Sequence, residues 1–91
     1  MREFYKEKLV GHICVREYTN LQTGRSMQEL YLITDILTYE YSNRLNWMSV
    51  YCLKENKNIE QFSLFSQNEF EKLIQLKAIS MDRFRYYLFP E

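Results

Sequence analysis

The chain has 91 residues, 46% of them apolar and 26% charged, and its twelve basic and twelve acidic side chains cancel to a formal net charge of zero. That length supports one small globular domain, 1–91, with a modest core, and the composition excludes wholesale disorder. The charge balance gives no support to a protein living on phosphate contacts, because neutralising phosphates is what drives such binding.

The chain opens with MREFYKEKLV. This stretch is charged and lacks a long apolar region, so it does not have the pattern of a secretory leader. No run approaches the ~18 apolar residues that a membrane helix needs. The expectation is a cytoplasmic protein that avoids membranes and keeps Cys14 and Cys52 reduced. One Ala, two Gly and one Pro, beside abundant Tyr, Phe, Ile, Asn, Lys and Glu, point to an AT-rich coding sequence. A low-GC bacterium or its phage would supply one.

The first predicted element is a strand in KLVGHICVREY, residues 8–18. Leu9, Gly11, Ile13 and Val15 share one face under period two, and Val10, His12, Cys14, Arg16 and Tyr18 share the other. A loop follows in TNLQTGRS, where Asn20, Gly24 and Ser26 supply turn chemistry. Residues 27–42, MQELYLITDILTYEYS, are rich in Tyr, Thr and Ile and predict a long strand, bent near Thr34 and Asp35. NRLN, residues 43–46, predicts a turn. WMSVYCLK and IEQFSLFS then predict two strands joined by ENKN, where Asn56 and Asn58 tolerate the left-handed conformations of hairpin turns.

FSQNEFEKLIQL carries the sharpest local signal. Ser66 and Glu69 match the capping box, and Phe65 with Phe70 match the hydrophobic staple. A helix is predicted from about Gln67 to Lys77, with Phe70, Leu73, Ile74 and Leu76 toward a sheet. SMDRFRYYLFPE fits a helix capped by Ser80, with Met81, Phe84 and Leu88 on one side, or a strand; its aromatic density favours one last strand, and Pro90 ends either. The resulting fold class is α+β: a small, strongly curved, mostly antiparallel sheet or SH3-like barrel of about five strands, with one capped helix near the C-terminus.

Catalytic chemistry is sparse. His12 is the one histidine, and with Cys14 two residues on it supplies at most two ligands or a base and a nucleophile. Zinc sites usually take three or four protein ligands, and only Cys52 is left to join them. Two glycines cannot build a phosphate-cradling loop. TGRS, residues 23–26, with Arg25, is a solvent turn more readily than an anion site. Glu69 and Glu71 complement the positive end of the predicted helix and need no catalytic explanation. No acid/base pair or nucleophile triad emerges. No enzyme activity, metal or cofactor is expected.

Aromatic residues carry the remaining signal. In YEYSNRLNWMSVY, period two puts Trp47, Ser49, Tyr51 and Leu53 on one face and Met48, Val50 and Cys52 on the other, core-like face. Tyr39 and Tyr41 are expected beside Trp47 across the Ser42–Asn46 turn. Tyr and Trp suit a half-wet surface and are enriched at binding hot spots. Arg83, Arg85 and Tyr87, with Arg44, form a second, basic aromatic face able to stack bases. The candidate binding residues are therefore Tyr39, Tyr41, Arg44, Trp47, Tyr51, Arg83, Arg85 and Tyr87. The expected function is non-catalytic: docking a protein partner, or a second copy as a homodimer, in the manner of a phage or mobile-element accessory (anti-defence) protein. The alternative is a small barrel that binds nucleic acid or a nucleotide through the basic aromatic face.

Overall fold

A computed structural model describes residues 2–38 and 46–90 of the chain. It opens with a helix, α1 (Arg2–Leu9), where the sequence predicted no element before a strand starting at Lys8. Arg, Glu, Lys and Leu are good helix formers. Tyr5 and Leu9, one turn apart, are both fully buried. Period two holds equally well through Lys8–His12, so alternation alone could not exclude a helix there. Gly11, at φ 91°, ends the turn in a conformation that L side chains rarely adopt. Its amide donates to the Ile33 carbonyl at 2.9 Å, and the Ile33 amide returns to His12 at 3.0 Å, so the sheet begins immediately after the helix.

Six strands follow: β1 (Ile13–Thr19), β2 (Ser26–Thr38), β3 (Asn46–Cys52), β4 (Lys57–Phe65), β5 (Ala78–Met81) and β6 (Phe84–Leu88). The β1–β2 loop is held by Asn20, whose Oδ1 accepts from the amides of Gln22 and Thr23 at 2.9 and 3.3 Å. The β2–β3 register shifts between Ile33 and Asp35, where the sequence predicted a bend. Asn56 turns β3 into β4 at φ 56°. Asn58, expected to share that role, instead pairs with Tyr51 in the ladder. The tail forms a hairpin of two strands where one was expected, because Asp82 adopts φ 54° between Met81 and Phe84.

The second helix, α2 (Gln67–Leu76), starts as the sequence predicted. The Glu69 amide donates to Ser66 Oγ at 3.3 Å, and the Ser66 amide donates to Glu69 Oε1 at 3.2 Å. The capping box is complete. Lys77 closes the other end at φ 63°, with its amide donating to the Leu73 carbonyl at 3.0 Å. Phe70, Leu73 and Ile74 are buried, but Leu76, predicted to face the sheet, is exposed.

All pairs in the sheet are antiparallel, in the order β4-β3-β2-β1-β6-β5. Of the two expected forms, the antiparallel sheet holds and the barrel is corrected. Closure would require the edges β4 and β5 to pair, but they lie at opposite ends of an open sheet. The chain passes from one edge to the other through α2, which touches β4, β5 and β6. Six strands replace the expected five because β5 and β6 are separate.

The core lies on one face of this sheet. Cys14, Tyr31, Ile33, Ile36, Met48, Val50, Cys52, Tyr86 and Leu88 pack there against Tyr5 and Leu9 of α1 and Phe70, Leu73 and Ile74 of α2. The helices meet where the Tyr5 and Phe70 rings stand edge to face, 4.9 Å apart, and the Tyr5 hydroxyl donates to Glu71 Oε1 at 2.8 Å. On the same face Arg16 donates through Nε and Nη2 to Glu29 Oε1 at 3.0 and 2.8 Å and lies over the Tyr31 and Phe84 rings.

Candidate functional site

The opposite face of the sheet carries neither helix. Directly paired residues share a face, and the two faces alternate along each strand. The register therefore fixes what this face presents. One cross-strand row runs Ala78, Tyr87, Val15, Leu30, and Leu53 continues it by donating its backbone N–H to the Leu30 carbonyl at 3.2 Å. The next runs Ile13, Leu32, Tyr51, Asn58, with Phe89 joined to Ile13 at its other end. Leu37 and Trp47 pair further along β2 and β3.

These rows are unusually apolar for a face that neither helix covers. An antiparallel sheet wet on one side normally alternates apolar and polar residues. Here the outward positions of the two central strands include Ile13, Val15, Leu30 and Leu32 beside the polar Glu17 and Gln28. Val15 is only 1% exposed, yet it does not belong to the cluster beneath the helices. Its neighbours Leu30 and Tyr87 shield it. Leu30 and Leu53 remain 38% and 43% exposed.

A polar rim borders the Arg85 end. Arg85 Nη1 lies 3.7 Å from Glu17 Oε1, and its guanidinium carbon sits 4.7 Å from the centre of the Tyr87 ring. Gln28 Nε2 bridges Glu17 Oε2 at 2.7 Å and the Tyr87 hydroxyl at 3.1 Å. Across the face, the Tyr51 hydroxyl donates to Asn56 Oδ1. Trp47 Nε1 is buried with no hydrogen-bond partner among the described residues.

The fold places Trp47, Tyr51, Arg85 and Tyr87 on this one face, merging two groups that the sequence kept apart. β2 and β1 lie between them and supply the apolar centre. Arg83 lies in the turn between β5 and β6, outside the ladder, and lines a pocket with Arg85 and Glu17 at that end of the face. Tyr39, Tyr41 and Arg44 lie outside the described residues. Ile13, Val15, Leu30 and Leu32 are not among the candidates from sequence, because alternation separates the two faces of a strand without ranking them. The signal available was that both phases are apolar, in Ile13-Cys14-Val15 and Leu30-Tyr31-Leu32-Ile33.

The two cysteines lie on the helix-covered face, one on each side of Tyr31 in a single cross-strand row, and both are free and buried. A whole strand separates them, about 9–10 Å at ordinary strand spacing, which is too far for a disulfide. Burial pushes the Cys14 thiol up to about 12, against a lesser downward pull from Arg16. A thiol held protonated is a poor nucleophile and a poor metal ligand. Among the described residues no group of three or more His, Cys, Asp or Glu side chains could hold a metal ion, and no helix is long and apolar enough to cross a membrane.

No protein-family model matches this chain, and no match is found among curated proteins or solved structures.

Proposed function

We propose that this is a non-catalytic binding protein that docks a protein partner on the helix-free face of its sheet. The observation that carries the reading is the apolar content of the two central strands on their uncovered side. Ile13, Val15, Leu30 and Leu32 occupy positions that a solvated sheet fills with polar residues. An exposed apolar patch with a polar rim is the usual mark of an interaction surface. Tyr51 and Tyr87 flank the centre from β3 and β6, in the role that aromatics play at interface hot spots.

The nucleic-acid alternative draws less support. The ion pair with Glu17 offsets the charge of Arg85, and Arg83 stands in the β5–β6 turn at the end of the face, away from its apolar centre. A phosphate surface needs uncompensated positive charge.

The test is Leu30→Lys, which places a charge at an already part-exposed position and so spares the fold. Wild type and variant would be compared by circular dichroism and by crosslinking in extract from the source cells. The expected result is an unchanged fold and loss of the protein crosslinks formed by the wild type. A variant that keeps every crosslink would refute the assignment of the face.

A further inference from the structure

From the layout of this face we infer that its occupant is a second copy of the chain, packed sheet on sheet about a two-fold axis that runs along the seam between β1 and β2. The inference rests on the docking reading above and names the partner. Three observations carry it.

The first is placement. In the order β4-β3-β2-β1-β6-β5 the seam between β2 and β1 is the middle of the sheet. The apolar residues Ile13, Val15, Leu30 and Leu32 sit on those two strands, and tyrosines flank them on both sides, Tyr51 on β3 and Tyr87 on β6. A two-fold axis along the seam lays apolar centre on apolar centre. It also brings Tyr87 of each copy over β3 of the other, near Tyr51. A closed symmetric dimer requires this kind of self-complementary patch.

The second is area. The rows of this face hold about 16 described positions, each about 4.8 by 6.8 Å, and cover roughly 500 Å² in plan. Side-chain relief raises the accessible area toward the ~800 Å² per partner of a standard stable interface. Two such faces stack about 10 Å apart, their strands within about 30° of alignment.

The third is charge. The chain has zero formal net charge, so two copies do not repel at long range. On the face itself Arg85 is paired with Glu17, and Glu17 is also bonded by Gln28. Among the described residues of these rows, stacking two copies therefore buries Arg85 and Glu17 as a pair and not as isolated ions, whose burial is the feature that most penalises an interface.

The experiment is sedimentation equilibrium of the full chain from about 1 to 200 µM, for the wild type, Leu30→Lys, Leu30→Glu, and an equal mixture of the two variants. The expected result is a wild-type dimer and two folded variants whose self-association is weakened about 100-fold or more, because each would bury like charges near the axis. The mixture recovers the dimer, since opposite charges then meet across the seam. Recovery cannot occur unless the two faces touch. A dimer that persists unchanged in both single variants overturns the inference, as does a mixture that stays monomeric. A wild type that is monomeric at 200 µM also overturns it. If Leu30→Lys still abolishes crosslinking to a different protein in extract, the docking reading survives with another occupant. If it abolishes nothing, both readings fail.

Discussion

The joint between the two helices offers the most direct test of the architecture. Phe70 is fully buried, with its ring edge to face on Tyr5 at 4.9 Å. Truncating a buried Phe to Ala costs about 3–5 kcal/mol, from lost transfer energy and the cavity left behind. The aromatic pair accounts for about 0.5–1.5 kcal/mol of that. A domain of this size has a total stability of roughly 5–14 kcal/mol, so Phe70→Ala should still fold at low temperature but melt on the order of 20 °C lower. Urea unfolding followed by circular dichroism and by the fluorescence of Trp47, on the opposite face of the sheet, gives two separate readouts. Tyr5→Ala, alone and combined with Phe70→Ala, completes a double-mutant cycle. The two changes should couple by about 0.5–1.5 kcal/mol or more, since their side chains touch. Strict additivity would mean that α1 does not dock on α2. A Phe70→Ala variant losing less than about 1 kcal/mol would remove Phe70 from the core.

Three further outcomes follow from local geometry. Ser66→Ala should lower stability by about 0.5–2 kcal/mol through the lost cap, and Glu69→Ala by less; an unmoved urea midpoint for Ser66→Ala would contradict the capping box. Lys77→Gly should raise stability by about 0.5–1 kcal/mol, because glycine occupies the left-handed end of α2 without a side-chain penalty, and a lower melting temperature would argue against that conformation. Burial pushes the phenols of Tyr5 and Tyr31 from 10.0 up to about 12, and the Cys14 thiol from 9.0 to about 12. These groups keep their protons more tightly when folded, so the stability they contribute is complete below about pH 9 and is lost as pH rises to 12. Urea midpoints should therefore fall across pH 9–12, and Cys14→Ala should flatten the earliest part of that fall.

What was legible in the sequence was local. The capping box lies within four residues and makes both of its hydrogen bonds inside that span, so Ser66 and Glu69 placed α2 unaided. Period two separated Trp47 and Tyr51 from Met48, Val50 and Cys52 because alternation is a property of the strand itself. Asn56 marked its turn because Asn tolerates a left-handed backbone. At residues 8–12 the local signals conflict, and burial of Tyr5 and Leu9 against α2 and the sheet decides for helix.

The site needed information that no short segment holds. Trp47 and Tyr51 on β3, and Arg85 and Tyr87 on β6, share a face only because β2 and β1 pair between them in one particular register. Arg83 falls in the turn at the end of that face because Asp82 reverses the chain just before it. The sheet stays open because α2 carries the chain from β4 across to β5 instead of letting those edges meet. Which side of β1 and β2 faces solvent was likewise a tertiary choice. Both sides are apolar, so alternation could not rank them, and the helices settle on the side where Cys14, Tyr31 and Ile33 meet Phe70 and Leu73. A strand's own chemistry sets which residues go together; only the packing of distant elements decides which of its two faces is left for a partner.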